Sequence, residues 1–221
     1  MINAEAYQNL MQLCKANNVT LVAVSKTKPV EDILTLYDFG HRDFGENYVQ
    51  ELIEKEKQLP KDIRWHFIGH LQTNKVKQVI GFVHLIHGVD SLKLLKEINK
   101  QSEKINKTTN CLLQVHIAQE ETKFGLDENE LKEIIDQVTA VPLTNASING
   151  LMGMASFTDD KDQVRKEFKY LKSLLNKCNE LLTIDRRLLT VSMGMTADYT
   201  IAIEEGSNMI RVGSLIFGER S

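Results

Sequence analysis

The sequence predicts an α/β protein built as a single (β/α)8 TIM barrel with one extra helix at its N-terminal end. Three observations lead there. Apolar runs of strand length alternate with longer segments of helical period from one end of the chain to the other, the pattern of parallel βα units. These runs number eight, and the 221 residues suit the compact form of a barrel that needs about 200 residues at minimum. Finally, no GxGxxG follows a strand, and polar, glycine-containing positions recur after many strands rather than at one switch point, which sets aside an open doubly wound sheet.

The elements follow in order. A helical pattern over residues 4–16 precedes the first strand, 20–25, whose centre is Leu21-Val22-Ala23-Val24. Pro29 stands at the first turn of the next helix, 30–37, where its missing N–H costs nothing. Strand 42–45, helix 48–57, strand 64–68, helix 72–80, strand 83–88 and helix 91–106 continue the alternation. Strand 111–117, helix 128–139, strand 147–152, helix 161–182, strand 188–192, helix 197–205 and strand 209–212 complete it. Pro60 and Pro142 fall in connections, so no proline interrupts an element, and a single domain over residues 1–221 is expected.

Composition is that of an ordinary globular chain, 42% hydrophobic and 26% charged. A chain of this size buries about 70% of its unfolded surface, so it needs neither disulfides nor metal. The 27 basic and 30 acidic residues leave a net charge of −3, which gives no general reason to bind nucleic acid or an anionic membrane. Cys14, Cys111 and Cys178 form no CxxC and read as reduced thiols. With no signal-like or membrane-spanning stretch, a cytoplasmic protein is expected.

The chemistry is expected at the rim where strands end, since barrels of this kind build their sites there. Lys26 follows the first strand in Ser25-Lys26-Thr27-Lys28-Pro29. A lysine among apolar walls and near a second cation, here Lys28, loses basicity and can attack a carbonyl; an exposed loop lysine is the plainer alternative. In the last strand, Asn208-Met209-Ile210-Arg211-Val212-Gly213, the period of two sets Ile210 and Val212 on one face and Arg211 on the other. If the branched pair meets the helices, Arg211 points into the barrel and needs a partner: a carboxylate such as Glu46 or Glu51, a phosphate, or a ring nitrogen. The turns Ser192-Met193-Gly194-Met195-Thr196 and Gly213-Ser214 follow strands seven and eight, the habitual phosphate site of this fold. Glycine admits close backbone approach, the hydroxyls of Ser192 and Ser214 can donate, and the helix from about residue 197 offers its N-terminus. His66 and His70 share a face only on a helix, so they are not read as metal ligands, and no metal is expected. His84 and His87 read as packing or surface residues, and Met152, Met154, Met193 and Met195 as pocket walls. One lysine, one inward arginine and a phosphate cradle together suit pyridoxal 5′-phosphate (PLP), which carries an aldehyde, a ring nitrogen and a phosphate.

These residues resemble the pyridoxal phosphate homeostasis proteins, whose barrel is similar to the N-terminal domain of alanine racemase, a fold-type III cofactor fold. The stretches that carry the resemblance are Ala23-Val24-Ser25-Lys26-Thr27-Lys28-Pro29, Phe44-Gly45-Glu46-Asn47-Tyr48-Val49-Gln50-Glu51, Trp65-His66-Phe67-Ile68-Gly69, Leu71-Gln72-Thr73-Asn74-Lys75, Gly150-Leu151-Met152, Ser192-Met193-Gly194-Met195 and Arg211-Val212-Gly213. It implies a PLP-binding protein in which Lys26 holds the cofactor as a Schiff base and Arg211 faces its ring nitrogen. Ser192, Gly194, Met195, Gly213 and Ser214 cradle the phosphate, with Asn47, His66, Asn74, Met152 and Met193 also near the cofactor. The sequence departs from the family pattern at His70, where proline is frequent, and at Thr73, Phe124 and Ser214.

The resemblance implies a non-catalytic carrier that stores, buffers or delivers PLP, with apo-enzymes as recipients and a monomeric state. The alternative is a fold-type III amino-acid racemase or lyase of low activity. Racemases of this architecture add a C-terminal β domain for which this chain leaves no room, although Tyr48 or Tyr199 could stand in as a base. An arginine at the ring nitrogen only donates, which weakens the ring as an electron sink and disfavours transaminase-type chemistry. A Schiff-base aldolase acting on a sugar phosphate is a third reading.

Overall fold

The computed structural model describes residues 2–120 and 124–219. Eight strands close into one barrel in chain order: β1 Thr20–Val24, β2 Asp43–Glu46, β3 Arg64–Phe67, β4 Leu85–Val89, β5 Thr109–Gln114, β6 Ala146–Met152, β7 Thr190–Ser192 and β8 Met209–Val212. Every neighbouring pair is parallel, and β8 closes on β1 with Val22 beside Arg211 and Ala23 beside Val212. The helices are α1 Ala4–Ala16, α2 Val30–Asp38, α3 Val49–Gln58, α4 Val76–Val79, α5 Leu92–Glu103, α6 Glu128–Ala140, α7 Lys161–Leu181, α8 Tyr199–Glu204 and α9 Ser214–Phe217. The eight-unit barrel with an added first helix is therefore the fold.

Local chemistry explains the clearest boundaries. Asn3 accepts from the Ala6 N–H to start α1, and Asp127 and Glu130 form a reciprocal capping box at α6. Asp160 caps α7 by accepting from Asp162 and Gln163. Elsewhere the sequence reading needs correction. The helix expected over 72–80 is a 3-10 turn, Thr73–Lys75, followed by the single α-turn α4. Branched Val76 and Val79 are both buried there, and Gly81 follows one residue beyond, after Ile80. β4 starts at Leu85 rather than 83, because the Val83 N–H still bonds back to Val79 O at 2.9 Å. The one-turn helix α9 after β8 was not anticipated.

Two cores result. The larger lies between the strand wall and the helices and contains Leu21, Ala23, Phe44, Trp65, Phe67, Ile210 and Val212. A small inner cluster of Leu85, Leu112 and Met152, with Met154 and Met209 against it, fills one side of the barrel. The other side of the interior is polar, which is unusual for a barrel otherwise packed with branched side chains. Among the described residues no helix is long and apolar enough to cross a membrane.

Candidate functional site

β1 leaves the barrel into a turn closed by the Lys28 N–H on Ser25 O at 3.0 Å. Thr27 occupies the left-handed region at φ 63°, a strained position for a branched residue that costs about 1–3 kcal/mol unless its surroundings impose it. They do: the Thr27 N–H donates to Glu51 Oε1 at 2.6 Å. The deeper brace is Lys55 of α3, a buried lysine whose Nζ donates to Ser25 O at 2.7 Å, Glu46 Oε1 at 2.8 Å and Glu51 Oε1 at 2.7 Å. Ser25 Oγ donates to the same Glu46 oxygen at 2.6 Å. Burial raises the Glu46 carboxyl above its ordinary value, with Lys55 and Ser25 pulling the other way. Lys26 rides half-buried on this braced turn. Lys28 Nζ is engaged elsewhere, donating to Glu219 O at 2.7 Å.

Ile210 and Val212 pack against the helices, and Arg211 is buried inside the barrel. Its Nη1 donates to Ser192 O at 2.8 Å and Ser192 Oγ at 2.6 Å, and its Nη2 to Gly153 O at 3.0 Å. Glu46 and Glu51, the carboxylates considered for it, serve Lys55 instead. Burial pushes the Arg211 guanidinium down to about 10, with Asp198 opposing, so it stays charged at neutral pH. Behind it the polar half of the interior forms one chain. Ser192 Oγ lies 3.0 Å from His87 Nδ1, His87 Nε2 lies 2.9 Å from His66 Nδ1, and His66 Nε2 lies 3.0 Å from Asp43 Oδ1. Arg64 grips Asp43 through both carboxylate oxygens. Burial disfavours the Asp43 charge, yet the His66 and Arg64 hydrogen bonds win and hold its carboxyl well below the usual range. Burial, reinforced by the nearby Arg211 charge, keeps His87 well below the usual histidine value.

The two small-residue turns meet at the mouth. Gly194 has φ 97°, and a Cβ there would lie 2.6 Å from Ala202 Cβ, so only glycine fits. Its carbonyl accepts from the Arg211 N–H at 2.9 Å. A Cβ on Gly213 would sit 3.0 Å from Val24 O, which brings the turn after β8 against the end of the strand that carries Lys26. Ser214 Oγ donates to Thr196 Oγ1 at 3.2 Å, tying the turns after β7 and β8 together. The Met195 N–H is held by Asp198 Oδ1 at 2.6 Å.

The structure thus gathers Lys26, Arg211, Gly194, Met195, Gly213 and Ser214 at the junction of β7, β8 and β1. Asn47 follows β2, its amide oxygen buried without a hydrogen-bond partner, and Asn74 is exposed in the turn after β3. Other expected positions lie deeper. His66 and Ser192 belong to the interior chain, and Met152 to the inner apolar cluster. Met193, expected at the site, is fully buried in the core between strands and helices. Lys55, Asp43 and Arg64 escaped sequence reasoning, and His87, read as a packing or surface residue, is a link of the buried polar chain. The available signal was alternation, since His66 lies opposite Leu85 and His87 is two residues further along the same inward face.

The family model for the alanine racemase N-terminal domain matches residues 4–221. The pyridoxal phosphate homeostasis protein of Aquifex aeolicus is 40% identical over 205 residues, covering 92% of this chain and 88% of its own. PipY of Synechococcus elongatus, solved without PLP, superposes with a TM-score of 0.91 at 32% identity, over 97% of this chain and 99% of its own. The PipY structure with PLP bound gives a TM-score of 0.86 at 31% identity, over 96% and 100%.

Proposed function

The chain belongs to the alanine racemase N-terminal domain family, alongside the pyridoxal phosphate homeostasis proteins, and from that premise we propose that it binds PLP and serves intracellular PLP homeostasis. The observation that carries this reading is Arg211. Of its five N–H groups, three are placed on Ser192 O, Ser192 Oγ and Gly153 O, leaving two donors for a ligand acceptor. Those donors suit an unprotonated ring nitrogen.

The remaining groups fit the same cofactor. Lys26, half-buried on the braced turn that leaves β1, is the residue to hold it covalently. The orphaned Asn47 amide offers a polar group beside the turn that bears Lys26. The Gly194 and Gly213–Ser214 turns, tied to each other at the mouth, are where its phosphate would lie. PLP supplies an aldehyde to an amine and an electron-withdrawing ring. Arg211 can only donate, so it keeps the ring nitrogen unprotonated and the ring a weak electron sink. That favours carriage over turnover, with apo-enzymes as recipients.

The test is the visible spectrum of the full chain incubated with PLP, before and after borohydride reduction, with mass spectrometry locating the adduct. The adduct is expected on Lys26. Lys26→Ala should lose it and retain weaker, phosphate-anchored binding, with amino-acid racemisation at background in the parent protein. An adduct on another lysine would move the attachment point, and a chain that takes up no PLP would overturn the reading.

A further inference from the structure

Between Arg211 and the far side of the barrel runs a chain of five polar residues from five strands, each linked to the next by a hydrogen bond of 2.6–3.0 Å. The hydrogen positions along it can be deduced by satisfying every group. Asp43, fixed as a carboxylate by Arg64, only accepts, so His66 Nε2 must carry a hydrogen. If His66 is neutral, its Nδ1 accepts, and His87 Nε2 donates. His87 Nδ1 then accepts from the Ser192 hydroxyl, and Ser192 Oγ accepts from Arg211. Each residue then hands its hydrogen to the next in one direction, from Arg211 to Asp43.

The other arrangement fails at its end. With His66 charged, His66 Nδ1 would donate to His87 and His87 Nδ1 to Ser192. Ser192 Oγ, which is buried, would then receive hydrogens from both His87 and Arg211. Its own hydrogen would have no acceptor, an unsatisfied buried donor that costs about 1–3 kcal/mol.

We propose that Asp43, His66, His87 and Ser192 are positioning residues that fix the plane of the Arg211 guanidinium, through a one-way hydrogen-bond chain in which both histidines are neutral Nε2–H tautomers. The chain makes Ser192 an internal link: its hydroxyl hydrogen is committed to His87 and is withheld from any anion at the mouth. Because no link has a spare hydrogen to move toward Arg211, the guanidinium meets a ligand only as a donor. This inference rests on the PLP reading for its consequence at the mouth, and not for the tautomers themselves.

Two measurements test it. Long-range proton–nitrogen NMR of the histidine rings in the cofactor-free full chain at neutral pH should show both His66 and His87 protonated at Nε2 and bare at Nδ1. A hydrogen on either Nδ1 would overturn the proposal, whatever the protein does with PLP. The second is a cycle of PLP dissociation constants for the parent, His87→Phe, His87→Asn, Arg211→Met and His87→Phe/Arg211→Met. His87→Phe should weaken binding about tenfold and shift the absorption of the bound cofactor. His87→Asn, which can still accept from Ser192, should restore most of both. In the Arg211→Met background, the His87→Phe effect should fall to about twofold or less. An equal loss in both backgrounds would make His87 a packing residue and refute the relay. A parent chain that binds no PLP while showing the expected tautomers would defeat the functional reading alone.

Discussion

Lys55→Met should separate the bracing of the Lys26 turn from the rest of the fold. The substitution keeps length and volume but deletes three hydrogen bonds of 2.7–2.8 Å, leaving Glu46 buried and without its cation. Removing one member of a buried ion pair costs about 3–5 kcal/mol, since the survivor remains desolvated. The lower end applies to the Glu51 share, because that side chain is 23% exposed and can turn to water. For a chain of this size each kcal/mol moves the midpoint by about 2–4 °C, so the loss is about 6–20 °C. The deficit should depend on pH with a definite sign. An unpaired Glu46 has a folded pKa further above its unfolded value, so the fold is stabilised by its proton at low pH and loses that stability as pH rises through the folded value. Urea melts of variant and parent should therefore differ least near pH 5 and most near pH 8, and Glu46→Gln in the Lys55→Met background should recover part of the loss. A deficit under about 1 kcal/mol, flat across that range, would show that the carboxylates are solvated without Lys55 and would refute the reasoning.

Two further outcomes follow from buried groups elsewhere. His87 and His41 both lie below the ordinary histidine pKa because burial disfavours their charge, so the unfolded chain takes up protons first on acidification. Stability present above about pH 6.5 should fall as pH drops toward the folded values, by about 1.4 kcal/mol per unit for each fully shifted ring; urea melts that do not change between pH 7 and 5 would contradict this. Burial pushes the Cys14 and Cys178 thiols up to about 11 and Cys111 to about 12, so a thiol reagent should label them only on unfolding, and rapid labelling of the native protein would count against it.

The barrel was legible because each βα unit repeats the same physical contrast, a short branched run that must be buried and a longer amphipathic segment that covers it. Arg211 was legible for a related reason: alternation in β8 commits Ile210 and Val212 to the helices and leaves the guanidinium no direction but inward. What surrounds these residues was not legible. Glu46 and Glu51 were the natural carboxylates for Arg211, but they meet Lys55, which lies nine residues after Glu46 on the exterior of the strand wall. Only the depth of α3 against β2 decides that. The His66–His87 contact, 21 residues apart, depends on the stagger between β3 and β4, which local sequence does not encode. Ser192 turns inward to Arg211, so plain alternation carries the next side chain, Met193, out among the helices rather than to a pocket wall.

Lys26 and Arg211 belong to adjoining strands, yet they are held by polar systems on opposite faces of the strand wall. The Lys55 cluster lies between β2 and α3 and fixes the turn from outside, whereas the histidine chain crosses the interior and fixes the guanidinium from within. Buried charges of this kind seldom stabilise a fold more than apolar side chains of similar size would. Their contribution is better sought in placement, and the geometry bears on that directly. The Lys26 turn carries a strained Thr27 that relaxes if Glu51 lets go, and Arg211 has three fixed hydrogen bonds that define its plane. Because the two systems share no hydrogen-bonding residue, their perturbations should combine additively in stability. A ligand that touches both strands adds a coupling of its own, so the change in cooperativity between Lys26 and Arg211 when it binds measures the bound molecule.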